Sequence, residues 1–231
     1  MRMVLFTVIT YLVYLFVKKV YGKTNLPFFH PLLLTPLLLI ALISFGHVSA
    51  NKYLDATKWL THMLGPATVA FAVPIYKHLP IIKKYFGTIM ISITSGTLVA
   101  ILSTFGLSKL IHLNVAFITS ILPRSITTPI AIEVSKDIGG LPALTTVFVI
   151  LTGIMGGVIG PSVLKWLSIR TPIAKGLALG MAAHGAGTNK AMEYGEQEAT
   201  FSSLAMIFAA WITFIWGVVL IPPLMHFHSF F

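Results

Sequence analysis

Long apolar runs separated by short polar breaks dominate this chain, and they predict helices that cross a membrane. Six stretches read this way: 3–17, 31–50, 59–76, 86–107, 141–164 and 199–225. A helix needs about 20 apolar residues to cross a hydrocarbon core of ~30 Å. The first run is short, but Arg2, Lys18 and Lys19 flank it and can snorkel to the two interfaces. Strands of a transmembrane barrel would alternate apolar and polar residues, which these runs do not.

Charge adds orientation. Of 231 residues, 56% are hydrophobic and 10% charged, and mean hydropathy is +0.91. The 16 Lys and Arg against 6 acids lie between the apolar runs, so loops and anionic headgroups account for them and nucleic acid is not an expected partner. Lys18, Lys19 and Lys23 follow the first span, Lys77, Lys83 and Lys84 the third, and Lys165, Arg170 and Lys175 the fifth. If these clusters are cytoplasmic, both termini lie outside. The leftover segments 108–140 and 169–197 must then each start and end on one face, so each is expected to be a re-entrant hairpin, one entering from each side. The expected fold is an all-α polytopic membrane protein of about six spans plus two opposed hairpins in an inverted repeat. Residues 1–85 would be scaffold helices and 86–231 the repeat-containing transport region. Cysteine is absent, which excludes disulfides and thiol chemistry.

The chemistry concentrates in two breaks, LPRSITTP from Leu122 and AHGAGTNK from Ala183. An ungapped shift of sixty residues superposes Thr128 on Thr188, Ala131 on Ala191 and Glu133 on Glu193. In the first break Thr128, beside Thr127, suits an N-cap and Pro129 the first helical residue. In the second, Gly185 and Gly187 permit a sharp turn, and Thr188 can cap a helix running from Asn189 toward Gly195. Two helix N-termini near the midplane make an anion site, to which Arg124 and His184 would add. Ser125, Thr127, Thr128, Asn189 and the backbone from Gly185 to Thr188 would supply further hydrogen bonds.

Plainer roles compete. Thr, Gly and Pro cap, kink and pack membrane helices, Arg124 could snorkel, and His184 could be a satisfied core histidine. Glu133 and Glu193 suit salt bridges with nearby bases, while Glu196 and Glu198 read as a solvated loop. Gly153, Gly156, Gly157 and Gly160 form a packing stripe, and His226 and His228 read as an interfacial tail rather than a metal site. No phosphate-binding loop appears, and no nucleophile, base and orienting acid are arranged for hydrolysis. Neither an enzyme nor a cofactor is expected.

At GPATVAFAVPIYK from Gly65, LPRSITTPIAIEVSKDIGGLPALTTVFVILTG from Leu122 and PIAKGLALGMAAHGAGTNKAMEYGEQEATFSSLAM from Pro172, the chain resembles the LrgB/CidB family of bacterial membrane proteins. It departs at Asn189 and Lys190, where the family more often has a small residue followed by Arg. The resemblance implies two functions. One is an antiholin- or holin-like component that regulates murein hydrolase export and lysis with a small LrgA/CidA-type membrane partner. The other is carriage of small monocarboxylates such as pyruvate, glycolate or glycerate, as in the similar C-terminal half of the plastidial glycolate/glycerate translocator. The breaks favour the carrier, working by alternating access. Its partners would be a small organic anion, membrane lipid and a second copy of the chain in a dimer, at the plasma membrane.

Overall fold

A computed structural model describes residues 2–24, 29–63, 66, 69–70 and 72–229, and all of the regular structure among them is helical. The chain divides into two compact units, Met1–Val73 and Pro74–Phe231.

The first unit holds α1 (Arg2–Thr24), α2 (Pro31–Phe45) and α3 (Ala50–His62). Helix α1 packs against both others. Polar side chains fasten α1 to α3: the Thr10 and Tyr53 hydroxyls lie 2.6 Å apart, and the Trp59 indole N–H donates to the Thr7 hydroxyl at 2.9 Å. Here the expected spans are redrawn. Instead of running to residue 50, α2 stops at Phe45, where the chain turns through His47 at φ 51° and the Val48 N–H returns to the Ile43 carbonyl. Ser49 then caps α3 by accepting from the Lys52 N–H, so a helix starts well before the expected 59. Residues 64, 65, 67, 68 and 71 of the expected span 59–76, Gly65 among them, lie outside the described residues.

The boundary falls within α4 (Ala72–Lys77), and the second unit follows with α5 (Leu79–Lys84), α6 (Phe86–Leu110), α7 (Val115–Ile121), α8 (Thr128–Asp137), α9 (Pro142–Trp166), α10 (Pro172–Met192), α11 (Glu196–Val219) and α12 (Ile221–Ser229). Its core gathers Ile89 and Ile93 of α6, Val134 of α8, Val149 of α9, and Phe201 and Leu204 of α11. Helix α11 is the central post, half-buried over its length. It packs against α6, α8 and α10.

Four helices among the described residues are long and apolar enough to cross a membrane: 3–24, 86–110, 142–166 and 196–219. That is fewer than the six spans expected, because the apolar part of α2 is short and α3 is broken off at His62. The last expected span, 199–225, is divided between α11 and α12 at Leu220.

Three helices of the second unit, α6, α8 and α9, end alike. His112, Gly139 and Ser168 adopt positive φ, and the next N–H in each case reaches five residues back, to Ser108, Ser135 and Leu164. This arrangement satisfies carbonyls that a helix end would leave orphaned. Helices begin at 86 and 142, at 115 and 172, and at 142 and 196, offsets of 56, 57 and 54 rather than sixty. Ser108 and Ser168, which the sixty-residue shift superposes, consequently differ in place: Ser108 is buried inside α6, whereas Ser168 lies past the end of α9.

Candidate functional site

The first break doubles the chain back. Asn114 caps α7 by accepting from the Phe117 N–H, and the helix loosens into turns through Arg124 before α8 begins. In one straight rod Ser120 and Leu141 would stand about 30 Å apart, at 1.5 Å per residue. Instead the Ser120 hydroxyl accepts from the Leu141 N–H at 2.8 Å, and the Thr119 hydroxyl donates to the Gly139 carbonyl at 3.3 Å. The Thr145 and Ser135 hydroxyls, bonded at 2.6 Å, tie α9 to α8. These hydroxyls replace the water that backbone and side chains lack in an apolar interior.

The cap sits one residue earlier than expected. Thr127, extended at φ −62° and ψ 139°, is the N-cap, and Thr128 opens α8 ahead of Pro129. No side chain caps this end, so its first N–H groups lack the partner a capping hydroxyl would supply. Proline is tolerated in a first turn because its missing N–H would have had no intrahelical partner there.

The second break is tighter. Helix α10 is interrupted at Ala183 (φ −136°, ψ 15°) and His184 (φ 39°, ψ −121°), and the chain reverses there. Lys175 and Tyr194 flank the two legs, and the lysine Nζ lies 5.2 Å from the centre of the tyrosine ring. At the tip end Gly187 rests on the Leu179 carbonyl so closely that a Cβ could not fit. Thr188 is not the cap that the sequence suggests. Helix resumes straight after the reversal, which places Thr188 a turn inside, donating to the His184 carbonyl at 3.1 Å and 2.9 Å from the Ser202 hydroxyl.

Glycines seat this second hairpin. Gly153 and Gly156 of α9 let His184 and Ala183 approach, and Gly160 receives Leu179, which is the packing role expected of that stripe. On the other side Gly176 and Gly180 bring α10 against the α11 backbone at Glu198 and Ser202. Neither of these two glycines, nor Ser202, stood out in the sequence. Glycine is too common in apolar helices for its contacts to be read without the fold.

Both tips address the middle of α9. The His184 Nε2–H donates to the Val149 carbonyl at 3.0 Å, and the ring lies against Gly153. Arg124 shares with Phe148, Thr152, Met155, Gly156 and Ala182 the lining of a cavity of about 620 Å³. His184 is buried, Arg124 half-buried, and the guanidinium has no ion-pair or hydrogen-bond partner among the described residues. A free guanidinium against apolar walls can take a carboxylate or another oxyanion through two parallel hydrogen bonds. Ser125, Thr127 and Thr128 are half-buried next along the chain, while Gly185 and Asn189 are exposed.

Of the acids, Glu133 pairs with Lys136 and Glu193 with Lys190, as expected. Glu196 pairs with Lys77. Glu198 departs from the solvated loop expected of it. It is buried in the first turn of α11, its carboxylate against Gly195, where a helix N-terminus favours negative charge.

The model of the LrgB-like family matches residues 10–224. The uncharacterized protein YwbG of Bacillus subtilis is 48% identical over 89% of this chain and 91% of its own. The holin-like protein CidB of Staphylococcus epidermidis is 34% identical over 97% and 96%, and the antiholin-like protein LrgB of Bacillus cereus 37% over 86% and 85%. No solved structure matches. With the motifs and both breaks inside the matched region, the chain belongs to the LrgB-like family.

Proposed function

We propose that this chain is a holin- or antiholin-like component of the bacterial plasma membrane, acting on lysis together with a small LrgA/CidA-type membrane protein. What carries this reading is the similarity, over most of both chains, to relatives that bear those names. Dye-loaded liposomes test it. Leakage that changes only when this chain and an LrgA-type protein are present together is the expected result, and no change in any combination overturns it.

One observation favours a second reading, a carrier of small 2-oxo or 2-hydroxy monocarboxylates. Arg124 faces a cavity unpaired, at the turn that leads into the uncapped start of α8. Arg124 would hold the carboxylate. Ser125, Thr127, Thr128 and the backbone at Gly185, Gly187 and Thr188 would bond its neighbouring oxygen, with His184 and Asn189 completing the tip. Two re-entrant hairpins in inverted orientation, with both chain termini outside, would expose this site to each side in turn. Saturable uptake of labelled pyruvate or glycolate into liposomes, reduced at least about tenfold in Arg124→Gln, is the expected outcome. The tenfold loss corresponds to about 1.4 kcal/mol, the low end for a charge-assisted hydrogen bond. Uptake that is unsaturable or indifferent to the substitution counts against the carrier. Single cysteines at Lys109, Lys136, Lys165 and Lys190, labelled from each face, test the topology, since the native chain has no cysteine.

A further inference from the structure

A second cavity, of about 480 Å³, opens where the end of α9 meets the two ends of the second hairpin. Its polar lining is Ser162, Lys165, Lys175 and Tyr194, and Leu164 and Ile169 are among its apolar walls. Two lysines thus converge on one hollow, and no carboxylate lines it among the described residues. The acids nearest in sequence are engaged elsewhere: Glu193 with Lys190, Glu196 with Lys77, and Glu198 buried against Gly195. Lys165 has no ion-pair partner among the described residues, and Lys175 is held over the Tyr194 ring. Like charges brought together without a counterion raise each other's energy, and a bound anion relieves that cost.

Depth identifies the anion's source. At 25 residues α9 is about 37 Å long, so its end reaches past a hydrocarbon core of ~30 Å into the headgroup layer. Trp166, 82% exposed, and Tyr194, 40% exposed, stand at this end. Aromatic residues of this kind favour the membrane–water interface. The hollow therefore presents cations at phosphate level, with apolar walls continuing toward the acyl region.

We propose that this cavity binds the phosphate of an anionic phospholipid, with Lys165 and Lys175 pairing with the phosphodiester and the apolar walls receiving the start of an acyl chain. The site borders the Arg124 cavity, with which it shares the Leu164 and Ile169 walls, but its lysines are not part of that cavity's lining, and it is independent of either reading of function. Phosphatidylglycerol is titrated against the full-length protein in phosphatidylcholine nanodiscs, with bound lipid counted by native mass spectrometry. Two lysines at about 1 kcal/mol each predict about 30-fold weaker retention in the double variant Lys165→Gln, Lys175→Gln. The control Lys83→Gln, Lys84→Gln removes the same charge from the last turn of α5 and retains wild-type binding. Equal loss in both double variants overturns the proposal, since general surface charge then explains the effect. Inorganic phosphate, titrated in pure phosphatidylcholine discs, forms the second arm. Saturable phosphate binding that depends on Lys165 and Lys175, without preference for phosphatidylglycerol, overturns the lipid assignment in favour of a soluble anion.

Discussion

The two hairpins of the second unit reverse the chain by different means. Between α7 and α8 the reversal is spread over residues 122–127, and hydroxyls fasten the legs to the next helix through Ser120 and Ser135. Within α10 it takes two residues, one with left-handed φ, and the legs are held by glycine contacts at Gly187, Gly176 and Gly180. The difference teaches where a ligand can be accommodated. A broad turn leaves Arg124 partly accessible and unpaired, whereas a tight one buries His184 against a carbonyl of α9.

The sharpest test of that contrast is Gly187→Ala. A Cβ would strike the Leu179 backbone, which cannot swing aside as a flexible side chain would. Overpacking of this kind costs on the order of 3 kcal/mol, so thermal unfolding in detergent should show a large drop or no folded protein. A variant as stable as wild type would mean that the second hairpin is not glycine-seated.

Next comes Ser120→Ala, which leaves the Leu141 N–H without its partner. A fully buried donor left unsatisfied costs about 1–3 kcal/mol, and this part-buried one should fall toward the low end of that range. The same unfolding measurement should place this variant between wild type and Gly187→Ala. An unchanged midpoint would show that the hydroxyls do not fasten the first hairpin.

His184 offers a smaller effect with an opposite sense. Its backbone at φ 39° and ψ −121° is a conformation that glycine adopts without strain. Strain at such a residue is of order 1 kcal/mol or more. His184→Ala loses the bond to Val149 and keeps the strain; His184→Gly loses the bond and releases it. The glycine variant should therefore be the more stable of the two by about 1 kcal/mol, and the reverse order would remove strain from the account. Smallest is Ser202→Ala. Thr188 keeps its bond to the His184 carbonyl, so the loss should be near the ~0.6 kcal/mol typical of side-chain bonds between membrane helices.

Much of the candidate site was legible because its signals are local. A proline beside threonines marks a helix start wherever it occurs, and Arg124 in an apolar sequence is conspicuous without any fold. The salt bridges of Glu133 and Glu193 join residues three apart, the first within α8 and the second across the C-cap of α10, a spacing readable by eye. What escaped was non-local. Thr188 looks like a cap in one dimension, yet Ser202, fourteen residues on, draws its hydroxyl inside the packed pair α10 and α11. Glu198 looks solvated among Glu196 and Gln197 until the start of α11 is seen to bury it.

Apolar length and the absence of strand-like alternation were enough to make this a helical membrane protein, since hydrocarbon leaves a backbone few other ways to satisfy its polar groups. The family and the positions of both breaks were likewise readable from the residues alone. Helix ends in the first unit, the spacing of helix starts in the second, and the closeness of Arg124 and His184 to one stretch of α9 required the tertiary structure. Those features depend on which surfaces fit together, and a glycine or a hydroxyl in a sequence does not say which backbone it will meet.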